Sequence, residues 1–383
     1  MRTKIVKLFV LFLCHTAVLS AQDLHFSRYQ ALEPMMNPAL TGFIPKEADI
    51  RLSTIYRNQW QRALGNATYE TVGFAFDMRN CLFKTNSRGS KNNKFKDPSW
   101  GLGLSFVHDE SGIESVRGLL PQKASLNRDQ VNLSASVILP VEDKIFFTGG
   151  LRVGGIFNRL KTSDLSYDEQ FDGEASFDPT VPGEFDALDQ LNTNMMNVGA
   201  GLSMFVLQRN WGANVGFALD HIFFPVEYKF LESSVLPRLS RKITMHGKLS
   251  YFFKQKNRRA YGVNLSGVVM LQNPHQQLTS TMDFFFQNKE DFTLTVGGGL
   301  RATTNYERQA KVDAILTNLT IGFGSIIIGF NYDINVSNFR RVSNGYGALE
   351  CSIAYRWKKR STSCSPILGG CETNGKNTHP LFF

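Results

Sequence analysis

Few residues in this chain stand at the spacings that catalysis or metal binding requires. The seven histidines are scattered along the sequence, no pair has the helical spacing of a metal site, and no Cys–His cluster resembles a zinc site. A Gly-x-Ser-x-Gly nucleophile elbow is absent. The basic residues form no aromatic-interleaved stripe for nucleic acid. We therefore expect no enzyme activity, no cofactor and no nucleic-acid partner.

The strongest charge cluster is acidic and lies at residues 160–193. It holds nine acids against one base, Lys161. The acids are Asp164, Asp168, Glu169, Asp172, Glu174, Asp178, Glu184, Asp186 and Asp189. The segment is either a solvated surface loop or a docking surface for a basic partner or for Ca²⁺, which takes several oxygen ligands. We hypothesise a partner contact through Asp164, Asp168, Asp172 and Asp178, which co-purification of neutralised variants would test.

A second segment, residues 79–98, is basic. Its cations are Arg79, Lys84, Arg88, Lys91, Lys94 and Lys96, with Asp97 as its acid. The segment is either a flexible insertion or a contact for a periplasmic protein, with Arg79, Lys84 and Lys91 as the candidate residues.

The elements that would position these segments are strands. Val131, Leu133, Ala135 and Val137 alternate with Asn132, Ser134 and Ser136, and the same period of two recurs along the chain. Such alternation predicts strands with one apolar face, while the other face is mostly Gly, Ser, Asn and Thr. Within glycine-rich strands, runs such as Gly297-Gly298-Gly299 indicate close backbone approach. About fourteen segments follow this pattern: 49–57, 69–78, 99–108, 128–138, 144–158, 194–206, 210–220, 240–253, 260–270, 278–287, 292–303, 311–321, 325–333 and 347–357.

Connection lengths indicate how these strands are arranged. Odd-numbered connections are mostly long and even-numbered ones mostly short, as in outer-membrane barrels with short periplasmic turns and longer outer loops. A pair of soluble β-sandwiches would place Lys, Glu and Arg on the solvent face, whereas here that face is small and uncharged. The sequence therefore predicts an all-β fold, an antiparallel transmembrane β-barrel of about 14 strands of outer-membrane type, surrounded by outer-membrane lipid.

Composition and the N-terminus agree with an exported barrel. The chain is 20% charged with a mean hydropathy of −0.18, which excludes a bundle of transmembrane helices. Residues 1–21 combine a basic start with an apolar stretch and Ala21 as a small residue for cleavage, which predicts a signal peptide. A lipoprotein signal at Cys14 is the alternative, but Leu13 before it is too large. The predicted regions are 1–21 signal peptide, 22–48 N-terminal periplasmic or plug segment, 49–357 barrel and 358–383 periplasmic tail.

Three cysteines, Cys81, Cys364 and Cys371, fall near one end of the predicted barrel. Strands one and fourteen must pair for closure, so the inner ends of strands two and fourteen lie about 10 Å apart, from two strand spacings. We hypothesise a disulfide within this trio, either Cys364–Cys371 or Cys81 to one of them, and non-reducing peptide mapping that finds three free thiols would refute it. Cys351 lies mid-strand on the apolar face.

The segment before the first strand contains Pro34, Pro38 and Pro45, so it is not expected to be a strand. It could plug the lumen, lie across the periplasmic mouth or be a loose leader. Its apolar residues favour packing against the barrel: Phe26, Leu32, Met35, Met36, Leu40 and Phe43.

This N-terminal block also carries a family resemblance. Gln22-Asp23-Leu24-His25-Phe26-Ser27-Arg28-Tyr29, then Met36-Asn37-Pro38-Ala39 with Gly42, then Tyr56-Arg57-Asn58-Gln59-Trp60, resembles the PorP/SprF family of Bacteroidetes type IX secretion membrane proteins. Ile328-Gly329-Phe330-Asn331-Tyr332-Asp333 is similar to that family's final hairpin. The sequence departs at residues 345–350, where the usual Gly-Ser-His-Glu becomes Gly345-Tyr346-Gly347-Ala348-Leu349-Glu350, and at Arg28, where Gln is frequent.

The resemblance implies a function. Family members are outer-membrane barrels of the type IX system and gliding motility; some act with periplasmic components, and others assist secretion or surface attachment of one large adhesin. It points to His25, Phe26, Tyr29, Asn37, Pro38, Arg57 and Trp60 as contact residues. The expected partners are a secreted adhesin or other type IX cargo and periplasmic type IX components. A diffusion channel or hydrophobic-ligand transporter on a similar barrel is the alternative.

Overall fold

The structure is a computed structural model in which the chain is described at residues 25–44, 48–60, 67–82, 98–115, 122–142, 144–161, 192–208, 210–226, 238–256, 259–288, 292–304 and 310–357.

The described chain forms one closed barrel of fourteen antiparallel strands. They are β1 Ile50–Gln59, β2 Ala67–Cys81, β3 Ser99–Ser115, β4 Gln122–Glu142, β5 Ile145–Lys161, β6 Thr193–Leu207, β7 Trp211–Asp220, β8 Lys242–Lys256, β9 Arg259–Gln272, β10 His275–Asn288, β11 Phe292–Thr304, β12 Ala310–Phe323, β13 Ile326–Asn335 and β14 Tyr346–Trp357. Each strand pairs with its chain neighbours, and β1 pairs with β14 from Ile50↔Trp357 to Gln59↔Ala348, which closes the sheet. The predicted fold class is confirmed.

Several strands are longer than the sequence pattern predicts. β3 continues to Ser115 and β4 starts at Gln122, because polar pairs such as Asp109↔Arg128 still belong to the hydrogen-bonded ladder. The ninth connection, predicted to be longer, is the two-residue turn 273–274. Arg79 and Cys81, assigned to the basic connection, are the last residues of β2. The alternation of apolar and polar residues stops where the outward side chains are no longer apolar. It therefore underestimates the length of strands that continue past that point.

The two faces of the sheet are inverted relative to a soluble protein. Leu133, Leu151 and Leu202 point outward and are exposed, whereas Asn132 and Ser134, their neighbours along the chain or the ladder, are buried inside. The same contrast holds along most strands, so the outward face is a continuous apolar surface and the inward face is polar. A barrel in lipid requires this arrangement.

The two ends of the barrel differ in their connections. At one end β4–β5, β6–β7, β8–β9, β10–β11 and β12–β13 are joined by two or three residues, the exception being the connection 82–98. The other end carries 162–192, 221–241 and 336–345. We call these the inner and outer ends, because outer-membrane barrels have short periplasmic turns and longer outer loops. β1 begins at the inner end.

Helical structure is limited to short turns. The N-terminal segment contains the 3-10 turns Tyr29–Leu32 and Pro38–Leu40 and helix α1 Glu33–Met36, and helix α2 Arg340–Ser343 lies between β13 and β14. Among the described residues, none of the helices has the length and apolar character that crossing a membrane would take. The described residues also contain no cluster of three or more His, Cys, Asp or Glu side chains placed to hold a metal ion.

The apolar belt predicts a depth-dependent response to charge. Leu151 is 67% exposed near the middle of β5. The substitution Leu151→Arg should lower the free energy of unfolding by about 2–4 kcal/mol, since a guanidinium at the bilayer midplane loses its hydration. Val141, 61% exposed beside the inner end of β4, is the matched control and should cost only about 0–1 kcal/mol as Val141→Arg. Urea unfolding from lipid vesicles measures both, and equal costs would contradict a lipid-facing assignment of Leu151.

Candidate functional site in the occupied lumen

Residues 25–44 lie inside the barrel, and they run from the outer half of the lumen to its inner end. The backbone N–H groups of Ser27 and Arg28 contact β14 four residues from its outer start. At the opposite extreme, Phe43 packs against residues of β4, β5 and β6 at the inner end. We call residues 25–44 the lumen segment.

The outer half of the lumen segment is held by a buried ionic cluster. The carboxylate of Glu350 accepts the backbone N–H of Ser27 at 2.8 Å and that of Arg28 at 2.7 Å. Glu350 also pairs with Arg57, its cross-strand partner on β1. Both side chains are almost fully buried. One carboxylate therefore joins the lumen segment to both strands of the β1–β14 seam.

A second carboxylate completes this cluster. Asp333 of β13 accepts the hydroxyl of Ser27 at 2.7 Å and a guanidinium N–H of Arg301 at 2.7 Å. Arg301 also donates to the Ser27 hydroxyl oxygen at 2.8 Å and to Asp313 at 2.8 Å. Charge-assisted hydrogen bonds are stronger than neutral ones, and these are shielded from water. We call the five residues that make them the seam cluster: Ser27, Arg57, Arg301, Asp333 and Glu350.

His25 lies beside the seam cluster. Burial lowers its pKa to about 3, and the nearby positive charges of Arg57 and Arg301 act in the same direction. Burial also lowers the pKa of Arg28 and raises that of Tyr29. His25 is therefore neutral at neutral pH and adds no further cation to a site that already holds two guanidinium groups.

The middle of the lumen segment docks on two glycines. Gly150 of β5 and Gly201 of β6 stand directly opposite each other in the ladder. A Cβ on Gly150 would lie 2.3 Å from the carbonyl oxygen of Pro38, and one on Gly201 would lie 1.9 Å from the side-chain oxygen of Asn37. Any larger side chain at these positions would displace the segment, so the two glycines form the surface on which Asn37 and Pro38 pack.

Both the oxygen and the nitrogen of the Asn37 side-chain amide form hydrogen bonds at this surface. Its oxygen accepts the N–H of Ala39 at 2.9 Å and so starts the following 3-10 turn. Its nitrogen donates to the carbonyl oxygen of Leu202 at 3.1 Å and lies 3.0 Å from Nε2 of His246. Because the amide nitrogen has no acceptor lone pair, Nε2 of His246 must accept, which places the ring proton of neutral His246 on Nδ1.

Two more arginines bind the part of the segment that precedes Asn37. Arg152 of β5 donates to the carbonyl oxygens of Pro34 and Met35, both at 2.6 Å, and to Asp220 at 2.7 Å. Arg51 of β1 pairs with Glu33 and binds both oxygens of Asp77 at 2.9 Å. Asp77 in turn accepts the N–H of Gly42 at 2.7 Å.

The inner end is closed by apolar packing. The ring of Phe43 stacks on Phe205 with centroids 3.6 Å apart and meets Phe146 edge to face at 6.1 Å. Leu40 and Ile138 belong to the same buried cluster. These contacts remove the largest apolar groups of the segment from water, which favours docking by the hydrophobic effect.

The described residues among those predicted from the sequence lie in four places. His25, Phe26, Tyr29, Asn37 and Pro38 lie in the lumen segment, and Arg57 belongs to the seam cluster. Trp60 follows β1 at the outer rim, where its ring contacts Phe339 with centroids 5.3 Å apart. Arg79 does not extend from a loop, because it is buried in β2 with its guanidinium 3.1 Å from Asp49.

Other predicted residues lie outside the described part of the chain. They are Lys84, Lys91, Asp164, Asp168, Asp172, Asp178, Cys364 and Cys371. Cys81 is disulfide-bonded, and its partner also lies outside the described residues. Cys351 is a free thiol.

Sequence reasoning missed most partners of the lumen segment. Arg51, Asp77, Arg152, Asp220 and Arg301 are charges in strands whose inward face is otherwise mostly small and uncharged. That contrast could have marked these residues, because a charged side chain on the lumen face needs a partner. Which partner each one meets depends on the register of the strands, which the sequence pattern does not give.

Comparison with known proteins identifies the family. The family model described as type IX secretion system membrane protein PorP/SprF matches residues 18–355. The chain belongs to this family. As a PorP/SprF protein it works with type IX secretion components and cargo in general, and its family and fold are those of a secretion-system membrane barrel. No curated protein matches the sequence.

Several solved structures are similar to this PorP/SprF protein at low sequence identity. The toluene transporter TodX of Pseudomonas putida is 8% identical with a TM-score of 0.46, over 88% of this chain and 99% of that one. The toluene transporter TbuX of Ralstonia pickettii is 12% identical with a TM-score of 0.41, over 85% and 92%. CdiB of Acinetobacter baumannii is 9% identical with a TM-score of 0.42, over 82% and 60%.

The seam cluster predicts a large effect of one substitution. Glu350→Gln should lower the free energy of unfolding by about 3–5 kcal/mol, since it removes the nearer of the two buried carboxylates that pair with Arg57. Urea unfolding from lipid vesicles measures the change. Glu70→Gln is the matched control, because Glu70 accepts hydrogen bonds from Tyr56 and Asn58 beside the same strand at a more exposed position, and it should change stability by less than about 1 kcal/mol. Equal effects of the two substitutions would mean that the seam cluster contributes nothing beyond an ordinary hydrogen bond.

Proposed function

We propose that this barrel is a non-enzymatic, outer-membrane part of the type IX secretion and gliding apparatus. In this proposal it supports secretion or surface attachment of a large secreted adhesin, and it contacts periplasmic machinery from its inner end. The observation that carries the proposal is the lumen segment, which occupies the barrel from its outer half to its inner end. Because the interior is filled by the chain itself, the two rims are the surfaces that remain for partner proteins.

The filled lumen also separates this proposal from the channel alternative. A cavity between the segment and the wall, lined by Tyr29, Glu33, His246 and Lys248 among others, has a volume of only about 40 Å³. That is room for about one water molecule, whose share of liquid volume is about 30 Å³. Neither a hydrophilic solute nor a hydrocarbon would fit there without displacement of the lumen segment, so the packing favours a binding role over diffusion.

The two ends offer different surfaces to partners. On the outer side, β3, β4 and β5 are the longest strands, and the acidic residues 162–191 follow β5. We assign the secreted adhesin, or another type IX cargo protein, to this side. On the inner side the basic connection that begins at residue 82 and the tail after residue 357 are the candidates for periplasmic type IX components. Export by the predicted signal peptide and the tethering of the tail through Cys81 belong to the same proposal.

The deciding measurement is a quantitative comparison of secreted and surface proteins in cells with and without this gene. We expect at least one large surface protein to be lost from both fractions and to be restored by the wild-type gene. Loss of one adhesin alone would define a dedicated partner, whereas loss of the whole cargo set would define a part of the machinery. An unchanged secreted and surface proteome would contradict the proposal.

Conductance of the purified protein is the control for the alternative function. The full-length barrel in a planar bilayer should show no stable open-channel steps, while a variant without residues 25–44 that still folds should conduct. A stable conductance of the intact protein would instead favour a channel.

A further inference from the structure

The outer rim beside β7 and β8 carries two exposed arginines around one turn. The turn His221–Phe224 is closed by the N–H of Phe224, which donates to the carbonyl oxygen of His221 at 3.1 Å. Arg241 donates to the carbonyl oxygen of Ile222 at 3.3 Å, and Arg238 donates to that of Phe224 at 3.4 Å. Both guanidinium groups are therefore gathered at the same turn, although they come from the far end of the β7–β8 connection.

An aromatic pair accompanies these cations. The guanidinium of Arg241 lies over the ring of Phe224, 4.1 Å from its centroid. Phe223 is 70% exposed, and no other phenylalanine or tryptophan side chain in the described residues is more exposed. Stacking on Phe224 and the backbone bonds use only part of the five N–H donors that each guanidinium carries. Arg238, Arg241 and Phe223 are all exposed, so the remaining donors and the aromatic ring are accessible at the same turn.

The position of this turn along the barrel axis determines which part of a surrounding membrane it can contact. Phe217 and Met245 are exposed cross-strand partners in the apolar belt of β7 and β8. Arg241 lies four residues beyond Met245 toward the outer end, about 13 Å along the strand at 3.3 Å per residue. Arg241 therefore lies beyond these apolar residues on the outer side, where the headgroups of a surrounding bilayer would begin, and Arg238 contacts the same turn.

We propose that Arg238, Arg241 and Phe223 bind the phosphorylated glycolipid of the outer leaflet. Planar guanidinium groups bind phosphate oxygens through paired hydrogen bonds, and an aromatic ring at the membrane interface packs against the apolar part of a lipid. The occupant is a lipid because the turn continues directly from the lipid-facing surface of β7 and β8. The inference rests on the proposed outer-membrane location and orientation.

The test uses the purified full-length protein in detergent, titrated with bisphosphorylated lipid A and with the same lipid after removal of its phosphates. Native mass spectrometry reports the bound fraction. We expect the phosphorylated form to bind about tenfold more tightly, which corresponds to about 1.4 kcal/mol. The double variant R238Q/R241Q should lose this preference, and F223S should weaken binding of both forms alike.

R340Q/R341Q is the matched control. It removes the same two charges from α2, on the other side of the outer end, and should leave the preference intact. Heat-modifiable migration checks that each variant is folded, and the single variants R238Q and R241Q replace the double variant if it is not. The proposal is overturned if the wild-type protein binds both forms of the lipid equally, or if both arginine pairs lower the preference to the same extent. The titration requires no secretion activity, so its result is independent of the proposed secretion role.

Discussion

The buried carboxylate of Glu350 joins three parts of this molecule: strand β14, strand β1 and the lumen segment. Glu350 lies on β14, its guanidinium partner Arg57 lies directly opposite on β1, and its oxygens accept two backbone N–H groups of the lumen segment. The strand pairing that closes the barrel and the docking of the segment inside it therefore share one group. A substitution of Glu350 would therefore weaken the strand pairing and the docking of the segment together.

The need for a lumen segment follows from the number of strands. The diameter of a barrel grows with strand number, and about eight strands already enclose a core that side chains alone can fill. Fourteen strands leave additional space, and the inward side chains here are mostly small. Polar side chains on the wall would be left facing each other across water or void. The segment supplies their partners: backbone N–H groups to Glu350 and Asp77, backbone carbonyls to Arg152, and the amide of Asn37 to β6.

The sequence predicts the wall of this barrel better than its contents. Alternation and connection lengths were sufficient for fourteen strands, closure and polarity, because each strand carries its own period-two pattern regardless of its neighbours. The prolines of residues 34–45 excluded a strand there, and their apolar neighbours favoured packing. The contacts could not be predicted, because Arg57 meets Glu350 across nearly the whole chain length and Gly150 meets Gly201 only in one register. Arg79 shows the same limit, since its charge suggested an exposed loop while Asp49 makes a buried position possible.

The position of the seam cluster also has consequences for assembly. The lumen segment precedes every strand in the chain, yet its outer half bonds to β14, the last strand to be made, and to β13 beside it. The pairing of β14 with β1 closes the sheet. If the segment were absent at closure, Arg57, Asp333 and Glu350 would lose the hydrogen bonds that Ser27 and the backbone N–H of Arg28 supply, and unsatisfied polar groups are costly in a low-dielectric interior. The cluster thus makes the filled barrel more favourable than an empty closed one, and it ties the stability of the seam to the presence of the segment.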